Sequence, residues 1–230
     1  MVVGNGLIAK KFQEYVGDDR FLIFASGVSN SKSKVDADYD REFNLLKQEL
    51  ETNVDKLLVY FSTCSILDPS ENNSNYVTHK KNIEAFIQSH AKQYLIFRVS
   101  NLVGKSGNMN TILNFIVHNI KEGSNFEVWR YATRNLIDVD DFFAITNLII
   151  QERLFVNQVV NVANNRSYSV PEIVEAVEKH FNKKANYSVV AKGVSFEIDI
   201  SQTRLLVEKL KIDFTGSYLE NLLKKYYQES

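Results

Sequence analysis

Tyr76 and Lys80 stand four residues apart in a segment whose apolar spacing predicts a helix. On a helix, residues i and i+4 project from the same face, so the phenol and the ammonium would lie side by side. A nearby cation favours the phenolate form of a tyrosine. The pair could therefore exchange a proton with a ligand near neutral pH. By itself the pattern also fits a solvated helix surface, where Tyr and Lys meet by chance.

An apolar run at 56–61 lies upstream of this pair and predicts a buried strand that ends in hydroxyl and thiol groups. The residues after it are Ser62, Thr63, Cys64 and Ser65. In an open α/β sheet, ligands bind outside the carboxyl ends of the strands. A hydroxyl there could donate to a substrate oxygen while Tyr76 handles the proton. The alternative is that these residues end a strand and cap a turn, which is common.

A glycine turn lies near the start of the sequence, between a short predicted strand at 1–3 and a predicted helix at 7–16. The spacing of Gly4, Gly6 and Ala9 is that of a dinucleotide-binding turn, although a generic strand-to-helix turn also fits. Glycine lets the backbone approach a pyrophosphate closely. The acidic residue that usually grips the adenosine ribose is missing, because the strand at 21–25 ends without a carboxylate.

Strands and helices alternate through the first hundred residues, and the strands are apolar on both faces. This pattern predicts a doubly wound, Rossmann-like α/β fold with a mostly parallel sheet. Ser169 and Glu172 form a capping-box sequence that should open a helix. The tail predicts a small C-terminal mixed α/β lobe. We assign 1–104 and 126–163 to a dinucleotide-binding core, and 105–125 and 164–230 to a substrate-binding lobe.

The composition excludes several classes of protein. With 27 basic and 28 acidic residues, the net charge of −1 gives no case for binding nucleic acid or an anionic membrane. A single cysteine excludes an internal disulfide, and no apolar run is long enough to cross a bilayer. The four histidines lack ligand spacing, so we propose no metal site. We expect a soluble, cytoplasmic protein.

Taken in order, these pieces resemble the extended short-chain dehydrogenase/reductase superfamily. Within it, they are most similar to the NAD-dependent epimerase/dehydratase group, which acts on nucleotide sugars. The matching segments are 4–9, 24–27, 61–63, Tyr76 with Lys80, 98–104, 134–141 and 160–163. Seven pieces in this order are far more specific than any one of them.

The resemblance implies a role for each matching residue. Tyr76 would be the catalytic acid/base, Lys80 would hold the nicotinamide ribose, and Thr63 would bind the reacting sugar oxygen. NAD or NADP would contact Gly4, Asn5, Gly6, Leu7, Ile8, Ala25, Ser26, Gly27, Ser62 and Lys80. The nucleotide sugar would contact Cys64, Ser65, Asn101 and Arg134. For Arg134, a structural ion pair with the acidic cluster at 138–141 fits the sequence equally well.

The sequence departs from the family pattern in three places. A strand–helix–strand section that normally follows the first helix, and that carries the ribose-binding acid, is absent. Its loss leaves the topology open, because right-handed crossovers constrain which side of the sheet each helix takes. Cys64 and Ser65 replace the Asp-Glu pair of the 4,6-dehydratases, which disfavours dehydration. The loop from Thr63 to Tyr76 is also short for the family.

The sequence therefore predicts an NAD(P)-dependent nucleotide-sugar epimerase or 4-keto reductase. The resemblance also implies a homodimer that forms through the helix bearing Tyr76. The alternative is a catalytically inactive relative that binds a nucleotide sugar or acts as a scaffold. A hydrolase that uses Ser62 or Cys64 is disfavoured, because no Gly-x-Ser-x-Gly elbow is present.

Overall fold

Strands and helices alternate along the parts of the chain that the computed structural model describes, residues 1–28, 36–106 and 108–228. The strands are β1 (Val2–Val3), β2 (Phe21–Phe24), β3 (Leu57–Thr63), β4 (Tyr94–Val99), β5 (Asn101–Val103), β6 (Phe126–Trp129), β7 (Thr133–Asp138), β8 (Gln158–Val162), β9 (Ser167–Ser169) and β10 (Tyr187–Val190). The α-helices are α1 (Leu7–Lys11), α2 (Asp36–Thr52), α3 (Asn75–His90), α4 (Ile112–Glu122), α5 (Val139–Gln151), α6 (Val170–Phe181), α7 (Arg204–Lys209) and α8 (Tyr218–Tyr226). Within these ranges, no helix combines the length and the apolar character that crossing a membrane requires.

The main sheet has five parallel strands in the order β1-β2-β3-β4-β8. β3 is buried along its whole length, as the apolar run in the sequence predicts. All five strands point the same way, so their carboxyl ends form one edge of the sheet. This arrangement confirms the predicted Rossmann-like α/β fold.

The two faces of the main sheet bury different helices. Side chains alternate between the faces of a strand, so Phe21 and Leu22 of β2 point in opposite directions. Phe12, at the end of α1, packs on the face of Phe21, which α5 also covers. Leu46 of α2 packs on the face of Leu22, which α3 also covers. The chain therefore forms the three layers that a doubly wound fold requires.

The connection from β1 to β2 has an unusual hand. The steps from β1 to β2, from β2 to β3 and from β3 to β4 all move one strand in the same direction. Because α1 lies on the opposite face from α2 and α3, the β1–α1–β2 connection has the opposite hand to the next two. About 98% of such crossovers are right-handed. The predicted loss of a strand–helix–strand section would account for the exception, since α1 keeps its face while the chain goes directly to β2.

α1 is shorter than the predicted helix at 7–16. It ends at Lys11, and a 3-10 turn at Gln13–Tyr15 continues the chain. The side chain of Gln13 donates to the carbonyl oxygen of Ala9 over 3.0 Å, which occupies an acceptor at the end of the helix. Phe12 and Tyr15 are buried, so packing rather than helical periodicity sets their positions.

Among the described residues, two small sheets are separate from the main sheet. β7 pairs with β5 in parallel and with β9 in antiparallel, and β6 pairs with β10 in parallel. Within the region 126–163 that we assigned to the core, β8 joins the main sheet and β6 pairs with β10. The division into core and lobe stays a prediction. α6 starts with the predicted capping box, in which Ser169 Oγ accepts from Glu172 N and Glu172 accepts from Ser169 N.

α8 is fastened to the start of α5 by charged hydrogen bonds. Lys225 Nζ lies 2.7 Å from one carboxylate oxygen of Asp138 and 2.7 Å from one of Asp140. Tyr226 donates to the other oxygen of Asp138 over 2.7 Å. Tyr218 donates to Asp141 over 2.6 Å, and burial raises the pKa of that carboxyl. The last helix thus holds the end of β7 in place.

Replacing Lys225 with Met should lower the free energy of unfolding by about 1–2 kcal/mol at pH 7, because the buried Asp138 carboxylate loses a charged partner. Partial burial tends to raise the pKa of Asp140, but hydrogen bonds from Lys11 and Lys225 lower it below its ordinary value. The stabilisation that Asp140 contributes is therefore present near pH 7 and is lost as the pH falls below about 4. Urea denaturation from pH 7 to pH 3.5 measures both effects. Lys224→Met, at an exposed neighbouring position, is the matched control and should stay within about 0.5 kcal/mol of the parent. Equal losses for both variants would contradict the prediction.

Candidate functional site

Three turns meet at the carboxyl edge of the main sheet, where α/β sheets bind ligands. They are 4–6 after β1, 25–28 after β2, and 62–65 at the end of β3. Gly4 has φ +124°, and a Cβ there would lie 2.6 Å from the carbonyl carbon of Ala25. Glycine at this position therefore lets the first two turns pack side by side. A Cβ on Gly6 would meet no atom within 4 Å, so this exposed glycine faces open space.

The other predicted cofactor residues of the first turn lie beside these glycines. Asn5 is exposed, whereas Leu7 and Ile8 are half-buried at the start of α1. Leu7 packs towards Gly104, where a Cβ would lie 3.3 Å from Leu7 Cδ2. The turn thus joins the segment 98–104 that the sequence also assigned to the site.

α2 holds the turn after β2 through two consecutive residues. Arg41 donates to the hydroxyl and to the carbonyl oxygen of Ser26, over 3.2 and 3.3 Å. Glu42 accepts from the backbone N–H of Val28 over 2.7 Å. Gly27 lies between them, and a Cβ there would be only 2.8 Å from Lys80 Nζ. Ala25, Ser26 and Gly27 therefore lead from the glycine turn directly to Lys80.

Tyr76 and Lys80 share a face of α3, as their spacing predicts. Lys80 Nζ lies 5.9 Å from the centroid of the Tyr76 ring. The ammonium is nevertheless buried, at 2% exposure, and it donates to Glu42 and to the hydroxyl of Tyr60, each over 2.8 Å. Tyr76 is half-buried. The structure places the two residues together and adds a carboxylate that the Tyr-x-x-x-Lys pattern does not include.

Thr63 ends β3 and caps the 3-10 turn Cys64–Leu67. Its Oγ1 accepts from Ser65 N over 3.1 Å and donates to Ser65 Oγ over 3.0 Å. This is the capping role that the sequence left open beside the catalytic one. α3 packs against the same turn, so Thr63, Ser65 and Tyr76 belong to adjoining elements.

Ser62 and Cys64 point into the protein. Ser62 donates to Glu84 over 2.6 Å, and Arg98 binds the same carboxylate with two nitrogens, over 3.0 and 2.6 Å. Cys64 Sγ donates to the carbonyl oxygen of Arg98 over 3.2 Å. Burial raises the pKa of the Cys64 thiol to about 12, so it carries no thiolate near neutral pH.

The two predicted substrate residues of the lobe lie on paired strands, Asn101 on β5 and Arg134 on β7. Asn101 donates to the carbonyl oxygen of Asn135 over 2.9 Å, and Arg134 donates to that of Thr133 over 2.8 Å. Among the described residues, the cations that bind the acidic cluster are Lys225 and Lys11, not Arg134. Arg134 is half-buried, and the roles of both residues stay predictions.

Two residues of this edge escaped the sequence analysis. Glu42 is fully buried on α2, between Tyr39 and Leu46 on the same buried stripe. A charge at a position that the helical period assigns to the core is the signal that could have identified it. Ser100, directly after β4, has a buried hydroxyl without a hydrogen-bond partner among the described residues. Such a group is unusual in a folded protein and suits a site that accepts a ligand or a water.

A family model described as the NAD dependent epimerase/dehydratase family matches residues 26–163, more than half of the chain. The chain belongs to this family. The match confirms the resemblance drawn from the ordered motifs, and the matched segment includes Ser62, Thr63, Tyr76 and Lys80. The glycine turn at 4–6 lies outside the matched segment. No curated protein sequence matches the chain.

Solved structures share the fold of this epimerase/dehydratase family member at low sequence identity. A dTDP-glucose 4,6-dehydratase from Bacillus anthracis in complex with NAD has 16% identity and a TM-score of 0.68, covering 96% of this chain and 76% of that chain. RMD from Pseudomonas aeruginosa, complexed with NADPH, has 14% identity and a TM-score of 0.72, covering 97% and 96%. WbmG from Bordetella bronchiseptica, in complex with NAD and UDP, has 18% identity and a TM-score of 0.68, covering 96% and 77%. These likenesses show a common fold.

Proposed function

We propose that this family member is an NAD(P)-dependent enzyme that acts on a nucleotide sugar, as an epimerase or a 4-keto reductase. The observation that carries the proposal is the row of contacts along the carboxyl edge of the sheet. Gly4 packs against Ala25, and Gly27 lies over Lys80, which shares a helix face with Tyr76. Similar folds that contain NAD, NADPH or UDP support the choice of ligands.

The residues along this row fit the nicotinamide half of a dinucleotide. Gly6 leaves open space at the first turn, and the buried hydroxyl of Ser100 lacks a partner among the described residues. Lys80 uses two of its three N–H donors on Glu42 and Tyr60, and within the described ranges the third has no protein acceptor. A ribose hydroxyl could take that third donor. The section that would hold the adenosine ribose is absent, so the adenosine half has a poorer site.

In the proposed mechanism, the protein's own groups handle protons and position the sugar. Tyr76 would exchange the proton of the sugar hydroxyl at its phenolic oxygen, with the Lys80 ammonium on the same helix face. Thr63 Oγ1 would bind the same sugar oxygen and would exchange its bond to Ser65 for one to the substrate. Bound NAD(P) supplies the hydride donor or acceptor for the sugar carbon.

The environment of Cys64 argues against dehydration. Elimination of water needs an acid and a base beside the sugar ring, whereas this thiol is buried and bonded to the carbonyl oxygen of Arg98. Ser65, the next residue, has a hydroxyl that is a poor base at neutral pH. Epimerisation or ketone reduction requires neither group and stays the better proposal.

A binding or scaffolding role without catalysis is the second candidate. Two observations favour it: β1 lies at the edge of the main sheet, and Lys80 is already paired with a buried carboxylate. Against it, a protein that only binds has no need of Thr63, Tyr76 and Lys80 together. Cofactor binding separates the two candidates. Homodimerisation stays a prediction of the family resemblance.

Titration of the protein with NADH and NADPH, followed by nicotinamide fluorescence, should show saturable binding. Because the adenosine section is absent, we expect the affinities for NADH, NADPH and reduced nicotinamide mononucleotide to agree within about tenfold, or about 1.4 kcal/mol. A Gly6→Ala variant should fold normally, since its Cβ meets no protein atom, yet it should bind the dinucleotides at least about tenfold more weakly.

Gly216→Ala is the matched control, because a Cβ at this position also meets no atom within 4 Å and lies far along the chain in the lobe. It should leave binding unchanged. No binding of any of the three ligands at millimolar concentration would overturn the enzymatic proposal in favour of the scaffolding one. If Gly6→Ala bound the dinucleotides as tightly as the parent, the first turn would not be part of the cofactor site.

A further inference from the structure

Glu42 is a fully buried carboxylate at the centre of four hydrogen bonds. One oxygen accepts from Tyr60 over 2.6 Å and from Lys80 over 2.8 Å. The other accepts from Val28 N over 2.7 Å and lies 3.1 Å from His79 Nε2, which donates to it in the Nε2–H tautomer. A carboxylate has about four acceptor sites, so this group is fully satisfied.

The surroundings of Glu42 favour its charged form. Burial by itself would raise the pKa of this carboxyl, but the attraction of Lys80 and hydrogen bonds from His79, Lys80 and Tyr60 hold it well below its ordinary value. Burial and the neighbouring carboxylate raise the pKa of Tyr60 well above its ordinary value, so that phenol stays a donor. Glu42 and Lys80 thus form an ion pair that is buried on both sides.

Stability alone does not account for such a pair. Replacing a buried ion pair by apolar residues of similar volume is often neutral or stabilising. This pair instead lies under Gly27, where a Cβ would be 2.8 Å from Lys80 Nζ and 3.1 Å from Glu42 Oε1. The pair therefore lies directly below the turn that the proposed cofactor would cross. Within the pair, Lys80 is one helical turn from Tyr76 on α3.

We propose that Glu42 is a positioning residue for the reaction, whose carboxylate keeps the Lys80 ammonium charged and fixed beneath Gly27. The inference rests on the proposed function, since Lys80 contributes to catalysis only if a nicotinamide ribose reaches it. Two N–H groups of the Lys80 ammonium donate to Glu42 and Tyr60. Because the three N–H bonds are arranged tetrahedrally, these two hydrogen bonds fix the direction of the third. A lysine without these partners would be free to rotate about four bonds.

The groups around Lys80 come from three elements. Glu42 and Tyr39 lie on α2, Tyr60 lies on β3, and Tyr76 and His79 lie on α3 itself. The rings of His79 and Tyr39 pack against each other in a tilted arrangement, with centroids 4.7 Å apart. Farther along α3, Glu84 is already paired with Arg98. Glu42 is therefore the carboxylate that balances the Lys80 charge among the described residues.

The test is a Glu42→Gln variant, with Glu51→Gln at an exposed position of the same helix as the matched control. Without its counter-charge, a buried ammonium is disfavoured. The alkaline limb of the kcat/KM profile should therefore move to lower pH by about one unit, with about a tenfold loss above that limb. Glu42→Asp, which keeps the charge, should return the limb towards its original position. A loss that is uniform across pH would overturn the proposal, because a merely structural role predicts that result.

A second measurement needs no ligand. In 13C NMR of the lysine ε-carbons, with Lys80 assigned from the spectrum of Lys80→Met, the Lys80 resonance should titrate at lower pH in Glu42→Gln than in the parent or in Glu51→Gln. An unchanged titration overturns the proposal even if the protein is an active enzyme. Absence of cofactor binding and turnover in the parent overturns the proposed function instead, and the catalytic part of this inference with it. If Glu42→Gln does not fold, Glu42→Asp carries the NMR test with a smaller expected shift.

Discussion

Tyr76→Phe should lower turnover by about a hundredfold to ten-thousandfold while leaving cofactor binding within about twofold of the parent. The variant removes one hydroxyl and keeps the ring. The only group lost is therefore the one proposed to carry the proton of the sugar hydroxyl. Because the ring stays beside Lys80, which is anchored by Glu42 and Tyr60, the variant should fold normally.

Two measurements establish this result. Conversion of UDP-, dTDP- and GDP-sugars is followed by chromatography in the presence of NAD(P)H, and binding of NADH is followed by fluorescence. Tyr131→Phe is the matched control, since Tyr131 is an exposed tyrosine of the lobe and its variant should keep full activity. Turnover by Tyr76→Phe at the rate of the parent would remove Tyr76 from the reaction. A parallel loss of NADH binding would show instead that the residue acts in assembling the site.

The sequence predicts the parts of this fold that depend on local signals. The buried strand β3 follows from a continuous apolar run, and the start of α6 follows from the capping box of Ser169 and Glu172. The order of the matching segments, from the Gly4 turn to 160–163, identified the family. For β3 and for the start of α6, the residues that decide the structure are close together in the sequence, and each segment that matches the family is itself short.

The parts that the sequence did not predict depend on contacts between distant residues. β5 and β9 have three residues each, too few to show a period, and they exist because they pair with β7. The loss of a section was predicted from the sequence, but the hand of the β1–α1–β2 connection was not. That hand depends on which face of the sheet α1 covers, and this is a property of the packed core rather than of the segment.

The same distinction between local and distant signals applies to the candidate site. Glu42 and Lys80 are 38 residues apart on two different helices, so no motif spacing links them. The Tyr-x-x-x-Lys pattern placed the phenol and the ammonium together correctly, yet it gave no sign that the ammonium would be buried against a carboxylate. Its partner could be recognised only by asking why a glutamate occupies the buried stripe of α2.

The final prediction concerns what this burial does to stability. Lys80→Met should lower the free energy of unfolding at pH 7 by about 3–5 kcal/mol, because it leaves the Glu42 carboxylate buried without its cation. A lysine that merely faced an open cofactor cleft would cost far less to remove. Urea denaturation measures the difference, and Lys81→Met, at an exposed neighbouring position, should change the stability by no more than about 0.5 kcal/mol.

The pH dependence identifies the carboxylate responsible. In the parent protein the pKa of Glu42 is depressed, so its contribution to stability is present above about pH 4.3 and lost as the pH falls through the folded-state pKa. In Lys80→Met the donors that remain are Tyr60, His79 and the backbone N–H of Val28, and loss of the Lys80 charge raises the pKa of Glu42 relative to the parent. The deficit of the variant should therefore be largest near pH 7 and shrink as the pH falls below about 5.

A double variant, Lys80→Met with Glu42→Gln, should recover about 1–3 kcal/mol of the loss, because it removes the unpaired charge as well as its partner. If Lys80→Met were as stable as Lys81→Met at pH 7, the Lys80 ammonium would not be held by Glu42 in solution. The position of Lys80 would then not depend on Glu42, and Glu42 would lose its proposed role while Tyr76 kept its own. The stability measurement therefore decides, without any substrate, whether Glu42 holds this lysine before a cofactor arrives.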